Sequence, residues 1–296
     1  MIGLPRYLAR ERRRVDAALR RLLPRPGRVT PTVRRAMTYS LFPGGKRLRP
    51  ILAIAACRAV GGRAEEVLPL AAAIEMIHTY SLIHDDLPAL DDDDLRRGRA
   101  TSHRMFGEAM AILAGDALLT HAFEVAATHP RASVASDRKV RAIGVLAHAA
   151  GVTGMIGGQV MDLEAEGRRC SIATLTRIHR GKTGALISAA VQIGGIVAGA
   201  GTRQLRALHR YGDGVGLAFQ IIDDILDLEG SSKILGKTAG KDLRARKATF
   251  PALLGIVPSR RRAERAAARA VAAIAPLGLR AAPLSDIARF IVRRAH

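Results

Sequence analysis

Residues 219–227 read FQIIDDILD, three aspartates set among isoleucine and leucine. On a helix advancing ~100° per residue, Gln220, Asp223, Asp224 and Asp227 share one broad face. Ile221, Ile222, Ile225 and Leu226 require that the same helix be mostly buried. A carboxylate in a dry core does not stay ionised without compensation. The fold must therefore bring something cationic to these oxygens, and a divalent ion held by ligands from successive turns is the direct solution. A second acidic run poses the same demand. Residues 84–98, HDDLPALDDDDLRRG, place six aspartates in ten positions of a chain that has 26 acidic residues and a net charge of +21. The run closes a helical pattern carrying Ile74, Ile77 and Leu82. Pro88 has no N–H to give and collides with the carbonyl four residues back, so the helix bulges or ends there. A small loop can then return Asp85 and Asp91 to one shared metal.

The remaining sequence supplies a helical framework. Ala, Leu, Arg and Ile dominate, aromatics make up 3%, and alternating β-branched runs are scarce, which favours an all-α chain. Helices are expected over residues 1–23, from Thr30-Pro31, from Ile51, and over 65–87, 105–127, 137–165, 172–200 and 203–229, with shorter ones at the end. Thr30 and Pro31 are a cap and a first-turn proline. Residues 42–50, FPGGKRLRP, read as a loop, and residues 230–247, rich in Lys and Gly, as another. No linker interrupts the chain, so residues 1–296 are expected to form a single domain.

Composition excludes several classes of function. An isoelectric point near 11.4 attracts polyanions, but a binder of single strands also needs aromatic stacking platforms. This chain has no Trp, four Tyr and six Phe, and its arginines concentrate near the termini as solvated helix faces; no nucleic-acid partner is expected. The same charge suits small substrates bearing several negative charges. Cys57 and Cys170 have no metal-binding spacing and read as small core residues. The amino terminus lacks the apolar segment of a secretory signal. Residues 183–202 run without a charge, yet Gly, Ala, Ser and Gln192 make them a packed core helix rather than a membrane span.

Two clusters of hard oxygen ligands suit Mg²⁺ bound jointly by protein and phosphate, whereas zinc would want His and Cys. Arg96, Arg97 and Arg99 beside the first cluster, and Lys46, Arg47 and Arg49 in a Gly-rich loop, supply cations for phosphate oxygens. The pattern implies two phosphate-bearing groups, one held by metal and one by side-chain cations. No nucleotide-binding glycine motif accompanies them.

Taken in order, GGKRLRP, DDLPALDDDDLRRG, GKTGALI and FQIIDDILD resemble the trans-isoprenyl diphosphate synthases, most closely the bacterial farnesyl diphosphate synthases, over residues 38 to 255. The resemblance implies a bundle of about ten or more helices around a large central cavity, and a cytoplasmic homodimer joining isopentenyl diphosphate to an allylic diphosphate. It implies three Mg²⁺ held by Asp85, Asp91 and Asp223, with Asp86, Asp224 and Asp227 as supporting ligands or neighbours of the ligands. Arg96 is expected on the allylic diphosphate, and Lys46, Arg49, His78 and Arg97 on isopentenyl diphosphate. Lys182 would neutralise diphosphate, Thr183 and Gln220 would face a transient cation, and Lys237 would close over the site. His78 lies seven residues before Asp85, on nearly the same helical face and ~10 Å along the axis. Tyr80, five before the aspartates, with small Ser81 beside it, implies arrest at a fifteen-carbon farnesyl product. A twenty-carbon geranylgeranyl product and, further off, a non-catalytic regulatory subunit are the alternatives.

Overall fold

A computed structural model describes residues 3–129, 134–229 and 248–294. Its framework is helical, as expected. The elements run α1 (Leu4–Leu22), α2 (Pro31–Leu41), α3 (Leu48–Ala59), α4 (Ala64–Asp85), α5 (Ser102–Phe106), α6 (Glu108–Thr128), α7 (Ser136–Ala150), α8 (Met155–Ala165) and α9 (Ile172–His179). A π turn (Arg180–Gly184) leads into α10 (Ala185–Val197). Then come α11 (Thr202–Glu229), α12 (Phe250–Leu254), α13 (Ile256–Ile274), a 3-10 segment (Ala275–Ala281) and α14 (Ala282–Arg293).

Helix α4 is the axis of the largest core cluster. Its Leu70, Ala71, Ala72, Ala73, Ile74, Met76 and Ile77 are fully buried. A helix apolar all round can be stable only when neighbours enclose it, and α1, α3, α6 and α10 do so. The Glu66 carboxylate accepts the Arg63 backbone N–H at 3.2 Å and starts the helix. The chargeless stretch expected to be core forms α10, buried along most of its length. Four stretches, Ala64–Asp85, Glu108–Thr128, Ser136–Ala165 and Ile256–Arg293, are long and apolar enough by length and composition to cross a membrane, and 78% of the window in the first is buried inside the protein.

Three local expectations need correction. The helix expected over 137–165 breaks into α7 and α8, because GVTG at 151–154 interrupts it and Gly151 and Gly154 both leave helical backbone angles. The helix expected over 172–200 carries the π turn at Arg180–Gly184. Residues 95–100, expected to lack strands, make a small antiparallel ladder pairing Leu95 with Ala100 and Arg96 with Arg99. Arg97 and Gly98 form its tip with φ of 54° and 73°, the positive pair that a two-residue hairpin turn requires. Lys237 and the rest of residues 230–247 lie outside the described residues.

Candidate active site

Helix α4 ends at Asp85, and the chain then folds back on it. The Asp91 N–H donates to the Asp85 carbonyl at 2.8 Å, and the Asp93 N–H to the Asp86 carbonyl at 3.1 Å. The loop that the sequence required after Pro88 thus returns Asp91 to the helix end. Burial pushes the Asp85 carboxyl up to about 6, Asp91 and Asp86 add repulsion, and Lys182 and Arg96 oppose it. Such a group is stabilised by any added cation. Asp86 is also pushed up to about 6 by burial, against the pull of Arg96, whose Nε donates to it at 2.6 Å.

The basic groups divide into two kinds. Arg96 is neutralised by Asp86, with Asp93 3.6 Å away. Lys46, Arg49 and Arg97 are all lowered, first by burial, with Arg294 repelling Lys46 and Arg97 repelling Arg49. Burial and the surrounding Arg49, Arg97, Arg96 and Arg47 hold His78 well below its usual range, so its ring is neutral and serves as a hydrogen-bonding group. Arg49 and Arg97, half-buried and repelling one another, suit an anion, and Lys46 stands exposed at the loop beside them.

The loop geometry is fixed from behind. Arg47 is almost fully buried and reaches Asp16 at 2.9 Å, Glu75 at 2.8 Å and the Leu41 carbonyl at 2.6 Å. Arg97 donates to the Gly44 carbonyl and joins the hairpin to this loop. A side chain on Gly45, whose φ is 131°, would meet the Arg97 guanidinium. Among the described residues the non-glycine positions with positive φ are Arg47, Asp92 and Arg97. All three adjoin candidate site residues, where backbone strain is commonly retained for function.

The π turn joins the two acidic segments. Lys182 acts on Asp85 and pairs with Asp162 of α8 at 2.6 Å. The adjacent Thr183 donates its hydroxyl to Gln220 Oε1 on α11 at 2.8 Å. Gly158 permits this junction, since a Cβ there would strike the Lys182 backbone nitrogen. On α11, Asp223 receives Arg294 from the carboxyl end at 3.1 Å, and that guanidinium lies over the Phe219 ring at 4.7 Å. Asp227 is buried, and one of its oxygens has no hydrogen-bond partner among the described residues. Asp224 is differently placed: His179, Gln220 and the Phe250 backbone all donate to it.

Tyr80 is buried, its ring edge-on to His84 at 5.7 Å. Its hydroxyl is buried without a partner among the described residues and is pushed up to about 12 by burial and by the Asp85 charge. Ser81, half-buried, bonds back to the His78 carbonyl at 3.0 Å. A cavity of about 270 Å³, lined by Leu8, Ile287, Phe290, Lys46 and Arg294 among others, lies beside the basic loop.

Sequence reasoning missed Asp162, His179 and Arg294. Asp162 and His179 had a faint signal, an aspartate in GQVMDLE and a histidine three residues before Lys182. Arg294 had none, being one arginine among many. Among the described residues no group of three or more His, Cys, Asp or Glu forms a ready metal cage. Magnesium usually takes one or two carboxylates and completes its shell with substrate oxygens. The crowded Asp85 and the unpartnered Asp227 oxygen fit such an ion.

The polyprenyl synthetase family model matches residues 30–274. A dimethylallyltranstransferase of Fischerella ambigua is 49% identical over 295 residues, 99% of this chain and 84% of that protein. A geranylgeranyl diphosphate synthase of Cyanophora paradoxa is 46% identical over 290 residues, 97% and 95% of the two chains. A farnesyl diphosphate synthase of Geobacillus stearothermophilus is 46% identical over 258 residues, 86% of each. The solved structure of an FPP/GFPP synthase from Zymomonas mobilis superposes with a TM-score of 0.87 at 37% identity, covering 98% of both chains. With its ordered acidic and basic motifs on one helical scaffold, the chain belongs to the polyprenyl synthetase family of trans-prenyltransferases.

Proposed function

We propose that the protein condenses isopentenyl diphosphate head to tail with dimethylallyl and then geranyl diphosphate, giving farnesyl diphosphate and pyrophosphate. The observation that carries this reading is the pairing of unlike anion sites. Arg49 and Arg97 act on one another and on neutral His78, with Lys46 beside Arg294 and Asp223, whereas the carboxylates around Asp85 crowd one another and feel Lys182 of the π turn. One diphosphate needs direct cations; the other needs metal.

Asp85, Asp91 and Asp223 would hold Mg²⁺, three ions by family likeness, with Asp227 and Asp86 close by. Held there, Mg²⁺ would supply Lewis-acid stabilisation of the negative charge on a departing pyrophosphate. Lys182, oriented by Asp162, adds a fixed charge to the same leaving group. Thr183 and Gln220 present oxygens to the electron-poor carbons, a preorganised field aimed at developing charge. Arg49, Arg97 and Lys46 hold isopentenyl diphosphate while His78 donates a ring N–H to it. The double bond attacks the allylic carbon, and the proton leaves to the released pyrophosphate.

Tyr80 supports a fifteen-carbon product, because its buried ring stands one turn before Asp85. A twenty-carbon product is the second reading, favoured by the geranylgeranyl name of the Cyanophora relative. Family likeness also supports a cytoplasmic homodimer with no membrane span, and exposed Ile112 and Leu113 on α6 with Ile156 and Val160 on α8 offer apolar surface for a second copy. Incubation with isopentenyl and dimethylallyl diphosphates plus Mg²⁺, with products sized by chromatography, tests the reading. A fifteen-carbon alcohol after phosphatase treatment is expected; a twenty-carbon one selects the second reading, and no prenyl product overturns both.

A further inference from the structure

We infer that Asp224 is a positioning residue which sets the direction of a hydrogen-bond relay ending at Thr183, so that lone pairs rather than a hydrogen are available to the reacting carbons. The inference rests on the prenyl-transfer reading above. Asp224 is buried, and three donors converge on it. His179 Nε2 reaches Oδ2 at 2.9 Å, the Phe250 N–H reaches Oδ2 at 3.1 Å, and Gln220 Nε2 reaches Oδ1 at 3.1 Å. Gln220 Oε1 in turn accepts the Thr183 hydroxyl at 2.8 Å. Three of the roughly four lone-pair positions of a carboxylate are thereby taken by the protein. That is poor provision for a metal ligand and good provision for an anchor.

The direction of the relay follows from donor chemistry. A carboxylate has no hydrogen to give, so the Gln220 amide must turn its NH₂ to Asp224 and its carbonyl to Thr183. Thr183 has one hydroxyl hydrogen, and Gln220 Oε1 receives it. What Thr183 keeps is lone-pair density, the favourable end toward a carbon losing its leaving group. His179 immediately precedes the π turn, and Phe250 opens α12. One carboxylate therefore ties the turn, α11 and α12 into a single register.

Asp224→Asn is nearly isosteric and reverses the logic. His179 and Phe250 both donate to the Oδ2 position, so the asparagine must place its carbonyl there and its NH₂ toward Gln220. The Gln220 amide then flips, donates to Thr183, and leaves the Thr183 hydrogen free to point at the cation. We expect kcat to fall by about 10- to 100-fold, by analogy with loss of one preorganised dipole, with the KM for isopentenyl diphosphate unchanged. Calorimetric titration of Mg²⁺ in the presence of inorganic pyrophosphate should give the wild-type affinity. In the Asp224→Asn background, adding Thr183→Val should cost nothing further, because coupled groups are not additive.

A tenfold or greater loss of Mg²⁺ affinity would make Asp224 a metal ligand and overturn the inference, as would an unchanged kcat or multiplicative effects of the two substitutions. Wild-type enzyme forming no prenyl product would defeat the parent reading instead, a separate outcome. Should Asp224→Asn not fold, Thr183→Ser compared with Thr183→Val reads the far end of the relay. Serine keeps a hydrogen for Gln220 and should recover activity that valine loses; equal loss in both overturns the relay.

Discussion

Asp85 shows how one residue converts burial into chemistry. Its carboxyl titrates near 6 in the folded protein, against 3.8 ordinarily. Between those values the native state binds more protons than the unfolded chain, so the Asp85 contribution lowers metal-free stability as pH rises from about 4 to 6 and is constant above. Mg²⁺ competes with that proton, so its affinity in the presence of pyrophosphate should climb across the same window; calorimetry at pH 5 and 7 checks the sign. Asp85→Ala should remove at least about 100-fold of kcat/KM while raising the thermal midpoint of the metal-free protein, since a half-buried, crowded charge is deleted without opening a large void. A variant with wild-type turnover, or with a lower midpoint in the absence of metal, contradicts this. Tyr80→Ala should lengthen the product from fifteen to twenty carbons, read by chromatography, because it clears a ring beside Asp85 without touching a charged group.

At the scale of elements, the decisive unit is the π turn between α9 and α10. An ordinary helix would carry Lys182 and Thr183 past α8 and α11 with a different phase; the wider turn sets one against Asp162 and the other against Gln220. Gly158 lets α8 come close enough for this. Gly158→Ala should displace the turn by about an ångström, and a shift of that size costs on the order of 100-fold in rate. Overpacking should also destabilise the fold by about 1–3 kcal/mol. Turnover measured beside a thermal melt separates these effects, and an unchanged kcat would show that the contact does not position the turn. The strand ladder at residues 95–100 belongs to this scale too: two residues per strand are too few for an alternating pattern, yet they aim Arg96 at Asp86 and Arg97 at the Gly44 loop.

For the whole molecule, the net charge of +21 surrounds a site that takes anionic substrates. Long-range attraction of this kind is screened by salt. Between 0.05 and 0.5 M salt, roughly, kcat/KM for isopentenyl diphosphate should fall several-fold while kcat at saturation changes little; a salt-independent kcat/KM would remove any steering role for the surface arginines. Family, helical class and both acidic motifs were legible from sequence, because apolar periodicity interrupted by aspartate is a local pattern that few structures can satisfy. The breaks at Gly151 and Gly154, the π turn and the hairpin were not legible, since each is a backbone departure of a few residues, too short to leave a periodic pattern. The same holds for the roles within the acidic motif. Asp223, Asp224 and Asp227 look alike in FQIIDDILD, and sequence determined only that carboxylates must sit in an apolar helix with something to receive them. Tertiary structure alone decided that Asp224 meets His179 and Phe250 while Asp223 meets Arg294, because hydrogen-bond partners 26 to 71 residues away are set by packing rather than by local spacing.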